Sequence, residues 1–175
     1  GRLPQASGRL EVAEPVGFVP EDRTTEGLVG EMSLTENLVL GLADDARWRA
    51  RAWIRWPVAR RRAAELIDIF RVRADGSEVP ARTLSGGNQQ KLIIARALEM
   101  QPRVLVAEQP TRGLDIGAAA DVHARLRAAA ASGAAVLFSS SDLDEIVALA
   151  SRVVVAVQGR ILEMSPAADR AAIGA

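Results

Sequence analysis

A chain of 175 residues, 49% of them hydrophobic, is long enough to bury a core of its own. Its 22 basic and 22 acidic side chains cancel, which excludes an overall field drawing it to nucleic acid or to an anionic membrane. Cysteine is absent, which excludes disulfides and thiolate metal sites and fits a reducing compartment.

The first ten residues, GRLPQASGRL, lack the charged and apolar regions of a secretory signal. No apolar run approaches the roughly 20 residues that cross a bilayer, so a role at a membrane has to come through a partner. In chain order, the strand-like segments are short, rich in valine and bounded by turn formers: Val16 to Val19, Val104 to Ala107, Val136 to Phe138 and Val153 to Val157. Helical patterns fall between them, over Thr35 to Leu42, Ala59 to Phe70, Asn88 to Met100, Ala118 to Ala130 and Leu143 to Ala150. The alternation predicts an α/β fold with a mostly parallel sheet.

Three blocks follow from this: residues 1–26 as the start of the α/β core, 27–100 as a helical insertion with no convincing strand, and 101–175 as the rest of the core. Ser33 and Thr35 are candidate caps for the first helix of the insertion, with Glu36 in its first turn. Ala74 to Ser77 reads as a turn, and Pro80 as a boundary. Between Arg47 and Arg62 lie seven arginines and all three tryptophans. Such a run can bind a nucleic-acid backbone or lie at a membrane interface. The competing and preferred reading is a solvated helix pair anchored by Trp48, Trp53 and Trp56 and broken at Pro57.

LSGGNQQK, Leu84 to Lys91, stands where a loop meets a helix whose apolar face includes Leu92, Ala95 and Leu98. Two glycines let a ligand approach the backbone, Ser85 can cap the helix or bond an anion, and the helix start offers free N–H groups to a phosphate. For Ser-Gly-Gly alone a plain turn and cap would be the better reading. The octapeptide tips the balance.

LSGGNQQK resembles the signature motif of ABC transporter ATPases. Together with VGFVPEDRTTEGLVGEMSLTENLVLG (Val16 to Gly41) and EQPTRGLD (Glu108 to Asp115), it makes the chain similar to the second nucleotide-binding domain of sugar- and nucleoside-type importers. The resemblance implies a P-loop NTPase-like fold with an inserted helical subdomain. It implies a head-to-tail pair of domains in which Ser85, Gly86, Gly87 and Gln89 meet the γ-phosphate of ATP held by the opposite domain. Asp115, at the D-loop position, would contact that domain, although Gly-Leu-Asp also reads as a turn before a helix. Further implied are a transmembrane permease, indirectly a solute-binding protein, and a place on the cytoplasmic side of the plasma membrane.

No Gly-x-x-x-x-Gly-Lys-Ser/Thr loop occurs, and the only lysine, Lys91, follows Gln90 within the signature. In the family that loop precedes the Val16 region, so Gly1 reads as a truncation point. The missing P-loop strand would lie between the Val136 and Val153 strands. Its absence predicts pairing with a second copy, rearrangement, or filling by Leu10 to Val12.

Glu108 stands at the Walker B position associated with magnesium, and Gln109 at that of the catalytic glutamate. A positioned general base is worth about 100- to 10,000-fold, so glutamine at this point cripples hydrolysis. Ser141 stands at the switch-histidine position and Glu21 at the Q-loop glutamine position. Gln109 could instead brace a strand end, and Ser141 could cap the Leu143 helix. His123, the only histidine, is expected to be an ordinary surface or half-buried residue.

The expectation is therefore a subunit fragment that completes, in trans, a site for ATP and Mg2+, neither of which it would hold tightly alone. The alternatives are a non-catalytic dimerisation or regulatory module and, less favoured, a nucleic-acid binder through the Arg/Trp run.

Overall fold

The computed structural model describes residues 8–42, 45–51 and 53–164. Three strands form a parallel sheet in the order β1 (Val16–Val19), β4 (Val104–Glu108), β5 (Ala135–Ser139). Between β1 and β4 the chain makes a π-helical turn (Arg23–Gly27), α1 (Leu34–Leu40), a small hairpin of β2 (Arg49–Ala50) and β3 (Trp53–Ile54), α2 (Trp56–Ile69) and α3 (Gly86–Glu99). Helix α4 (Ile116–Ala131) joins β4 to β5, and α5 (Leu143–Leu149) leads to an antiparallel hairpin of β6 (Val153–Val157) and β7 (Arg160–Met164).

Helix α3 is the hub of the core. Leu92, Ile93, Ile94, Ala95 and Ala97 are all buried, and they pack with Val19, Leu105 and Ala107 of the sheet and Leu34, Leu38 and Leu66 of the insertion. Contact with β1 is close enough to exclude a side chain: a Cβ on Gly17 would fall 2.9 Å from the Ala97 carbonyl oxygen. The buried leucine, isoleucine and valine side chains each contribute about 1.5–3 kcal/mol, so the energy of the fold is concentrated around this helix.

Helix α1 starts where the sequence puts it. Ser33 Oγ accepts from Glu36 N, and Glu36 Oε2 accepts from Ser33 N, a reciprocal cap worth about 1 kcal/mol. Thr35 is not the cap; its hydroxyl bonds Glu78, whose carboxyl is held below its usual range by Thr35 first and by Arg60. Buried Asn37 fastens the preceding loop, accepting from Val29 N and donating to the carbonyls of Val29, Met32 and Ser33.

Four differences from the sequence reading have plain causes. The insertion contains a strand pair, β2 and β3, too short for a period-2 pattern to register. Pro57 does not break a helix but lies in the first turn of α2, where its missing N–H has no partner to lose. Trp48 anchors as expected, whereas Trp53 is 80% exposed on the hairpin. The Val153 strand does not join the parallel sheet; it folds back on β7 through a two-residue turn, with Gln158 and Gly159 both at positive φ.

The Arg-rich run is largely a structural network. Arg62 grips buried Glu99 through two bonds of 3.0 and 2.7 Å, Arg47 pairs with Asp45 and bonds the Glu99 carbonyl, and Arg60 pairs with Glu78. Among the described residues strand β5 has one neighbour, and Leu137 on it is 59% exposed. Leu10 to Val12 do not fill the place beside it: they form no strand, and Leu10 is 70% exposed.

Candidate functional site

The loop that opens α3, Leu84 to Gly87, lies on the outside of the hub. Ser85 is the N-cap residue of α3 by position, with extended backbone, but its side chain bonds no helix amide. Its hydroxyl instead accepts from Asn88 Nδ2 at 2.9 Å, while Asn88 Oδ1 accepts from Arg73 N. Ser85 is exposed and Gly86 and Gly87 half-exposed, so the first turn of α3 presents its amides and the positive end of its dipole without a side-chain cap.

The rest of the octapeptide works inward. Gln89 Nε2 donates to the Ala81 carbonyl at 3.4 Å, and buried Gln90 donates to the Pro110 carbonyl at 2.9 Å. Lys91 points away, pairing with Asp121 of α4 at 3.3 Å.

Beyond β4 the chain turns sharply. Gln109 takes a positive φ of 46° and its N–H continues the ladder to the Ser139 carbonyl. Its Oε1 accepts from both Ser141 N at 3.0 Å and Ser141 Oγ at 3.3 Å. Two residues assigned to catalysis by position are thus bonded to each other, and Gln109 braces the strand end. Ser141 does not cap α5; Asp142 does, accepting from Asp144 N. Asp115 caps α4, accepting from Ala118 N at 2.8 Å.

An open groove runs beside this turn, bordered by Glu21, Asp22, Arg23, Glu108, Arg112 and Gly113. Glu21 is ion-paired with Arg112. Asp22 accepts from the amides of Thr24 and Thr25, and hydrogen bonds from Thr25 and Thr24 hold its carboxyl far below the usual range. Among the described residues no three acidic or histidine side chains gather as a metal would need.

Glu145 escaped the sequence reading. It is buried on α5, and its Oε1 accepts from Thr111 Oγ1 at 2.9 Å and meets His123 Nε2 at 2.9 Å, while Oε2 has no partner. A glutamate in DLDE on a short amphipathic helix gives no signal of burial. His123 is half-buried as expected, but it serves this network, which ties α4, α5 and the loop after β4.

A profile of the ABC transporter family matches residues 4–112. A nucleoside import ATP-binding protein of Lactococcus lactis is 43% identical over 148 residues, covering 85% of this chain and 29% of that protein. A ribose import ATP-binding protein of Chromobacterium violaceum is 40% identical over 168 residues, covering 91% and 33%. The chain therefore spans about a third of the length of the curated relatives it matches.

Among solved structures, a dimeric ATP-binding cassette bound to ADP and inorganic phosphate superposes with a TM-score of 0.68 at 25% identity, covering 85% of this chain and 62% of that one. An inward-facing ABC transporter of metal-chelate type gives 0.74 at 20% identity over 92% and 62%, a likeness of fold.

Proposed function

The chain belongs to the ABC transporter family, and from that premise we propose that it serves an ATP-binding subunit importing a sugar or a nucleoside. In this reading it corresponds to the second nucleotide-binding domain and offers its signature to ATP held by another such domain. The carrying observation is the contrast between an outward, uncapped α3 start at Ser85 to Gly87 and a set of side chains bonded to one another, Gln109 to Ser141 and Glu21 to Arg112. Two properties support the reading: Lys91 is engaged with Asp121, and the residue after Glu108 is an amide rather than a base.

Ser85 and the amides of Gly86 and Gly87 would bind the γ-phosphate, Gln89 steadies the approach loop, and Asp115 borders the same face. The opposite domain supplies the P-loop, the magnesium ligands and the general base. A permease is driven from this pair, with a solute-binding protein upstream of it, on the cytoplasmic side of the membrane. The relatives' printed names for ribose and nucleoside import support this class of cargo.

The reading is tested by ATP hydrolysis of the purified chain. Turnover at the background of the buffer is expected, and appreciable turnover by the chain alone would sink it.

One observation favours a second role beside the first: among the described residues β5 has a free edge and an exposed Leu137, a template for pairing with another copy. Sedimentation at rising concentration should show a dimer if this edge is used, and a persistent monomer removes the role.

A further inference from the structure

The side chain of Arg23 joins three segments that the sequence keeps far apart. Its base is firm. Asp22 accepts from the amides of Thr24 and Thr25 at one end of the π-helical turn. At the other end, the Gly27 carbonyl accepts from Arg96 Nη2 of α3 at 2.6 Å, a guanidinium whose pKa is lowered by burial.

From that base the Arg23 guanidinium reaches outward, and Nη1 donates to the Arg112 carbonyl at 3.2 Å. A Cβ added to Gly86, the first residue of α3, would lie 3.5 Å from its Cζ and Nη2. One added to Gly113 would lie 3.3 Å from Nη2. Gly113 has a φ of +70°, a left-handed conformation that side chains resist, and the bare backbone is what admits the guanidinium.

Electrostatics argues that this contact is not there to stabilise the isolated chain. Arg23 forms no ion pair among the described residues, since the adjacent Glu21 is engaged by Arg112. It also rests against the positive end of the α3 dipole, where a cation is unfavourable until an anion arrives.

We infer that Arg23 is a positioning residue: it sets the start of α3 at Gly86 against the 109–115 loop at Gly113, so that both face a bound nucleotide as one surface. The inference rests on the reading of a signature offered to a partner's ATP, and deepens it by naming what holds the signature and the following loop in register. The planar fork is the reason for arginine. Lysine can reach the Arg112 carbonyl but has no flat face to lay on Gly86.

The test is amide hydrogen exchange in the 175-residue chain, compared for wild type, Arg23→Ala and Arg23→Lys without nucleotide. Two reporters stand on either side: Gln89 N–H, bonded to the Ser85 carbonyl, and Leu114 N–H, bonded to the Thr111 carbonyl. In Arg23→Ala both should exchange faster, by about tenfold, the scale of one lost hydrogen bond. The melting temperature should stay within about 2 °C, because an exposed-side contact of this kind carries little global stability.

In Arg23→Lys the Leu114 amide should recover its protection and the Gln89 amide should not. An unchanged reporter in Arg23→Ala, or recovery of both in Arg23→Lys, overturns the proposal. Because no nucleotide is present, failure of the ATP reading would leave this result standing, and the two can fail separately.

Discussion

The loop that opens α3 and the loop that follows β4 lie side by side, joined by Gln90 and Arg23, yet their polar groups are treated in opposite ways. Around the end of β4, three candidate side chains are satisfied within the chain: Gln109 by Ser141, Asp115 by the start of α4, and Glu21, from the segment after β1, by Arg112. Before α3, Ser85 leaves the helix amides uncapped. A polar group satisfied internally has less to gain from a ligand, whereas an uncapped helix start gains the full charge-assisted bond. On the proposed reading, the contrast separates a helix start offered to a partner's nucleotide from side chains already bonded within the chain.

The contrast can be broken at four points. The signature is presented by a helix fixed in the core, so Ile93→Ala, at a fully buried position, should cost about 2–5 kcal/mol of unfolding free energy in denaturant titration. A cost below 1 kcal/mol would mean that α3 is not anchored as described. Gln90→Ala removes a buried bond and leaves the Pro110 carbonyl unpaired, for about 1–3 kcal/mol. Chemical-shift changes should then appear in both loops, and confinement to α3 would show that they are not joined.

Gln109→Ala should cost less than about 1 kcal/mol, because its bonds to Ser141 are exposed to water. A loss as large as that of Gln90→Ala would make the 109–141 contact a core element instead.

The smallest effect is one of pH. The folded Asp22 carboxyl is held below its usual value of 3.8, so the native state favours its charged form. The unfolded chain binds this proton first as pH falls. The contribution is therefore full above about pH 5 and lost as acid is added below the unfolded value. Exchange protection of Thr24 and Thr25 should fall in that acid range in the wild type and be absent throughout in Asp22→Ala. Protection that is independent of pH in the wild type would contradict the cap.

Where the sequence was legible, the reason was local chemistry. Ser33 and Glu36 announce α1, and valine runs announce β1, β4, β5 and β6, because caps and short apolar strands depend on neighbours within a few residues. The signature was legible as a helix start for the same reason. What could not be read depends on distant partners. Glu145 is buried only because Thr111 and His123 meet it from two other segments. The arginine run becomes an ion-pair network only once Glu99 lies beneath it.

Strand β6 was found but misplaced, since periodicity gives a strand and not its neighbour. Ser141 was weighed as a cap one residue early, a slip between adjacent residues that both suit the position. Arg23 gave no signal at all, because its two glycine contacts lie 63 and 90 residues away in sequence.

The most direct test of an offered signature is the ATPase rate of an intact partner domain, one that carries its own P-loop, with this chain added as wild type or Ser85→Arg. The account predicts that the wild type raises the partner's turnover and that Ser85→Arg abolishes the increase while melting at the wild-type temperature. Equal stimulation by the two would contradict it.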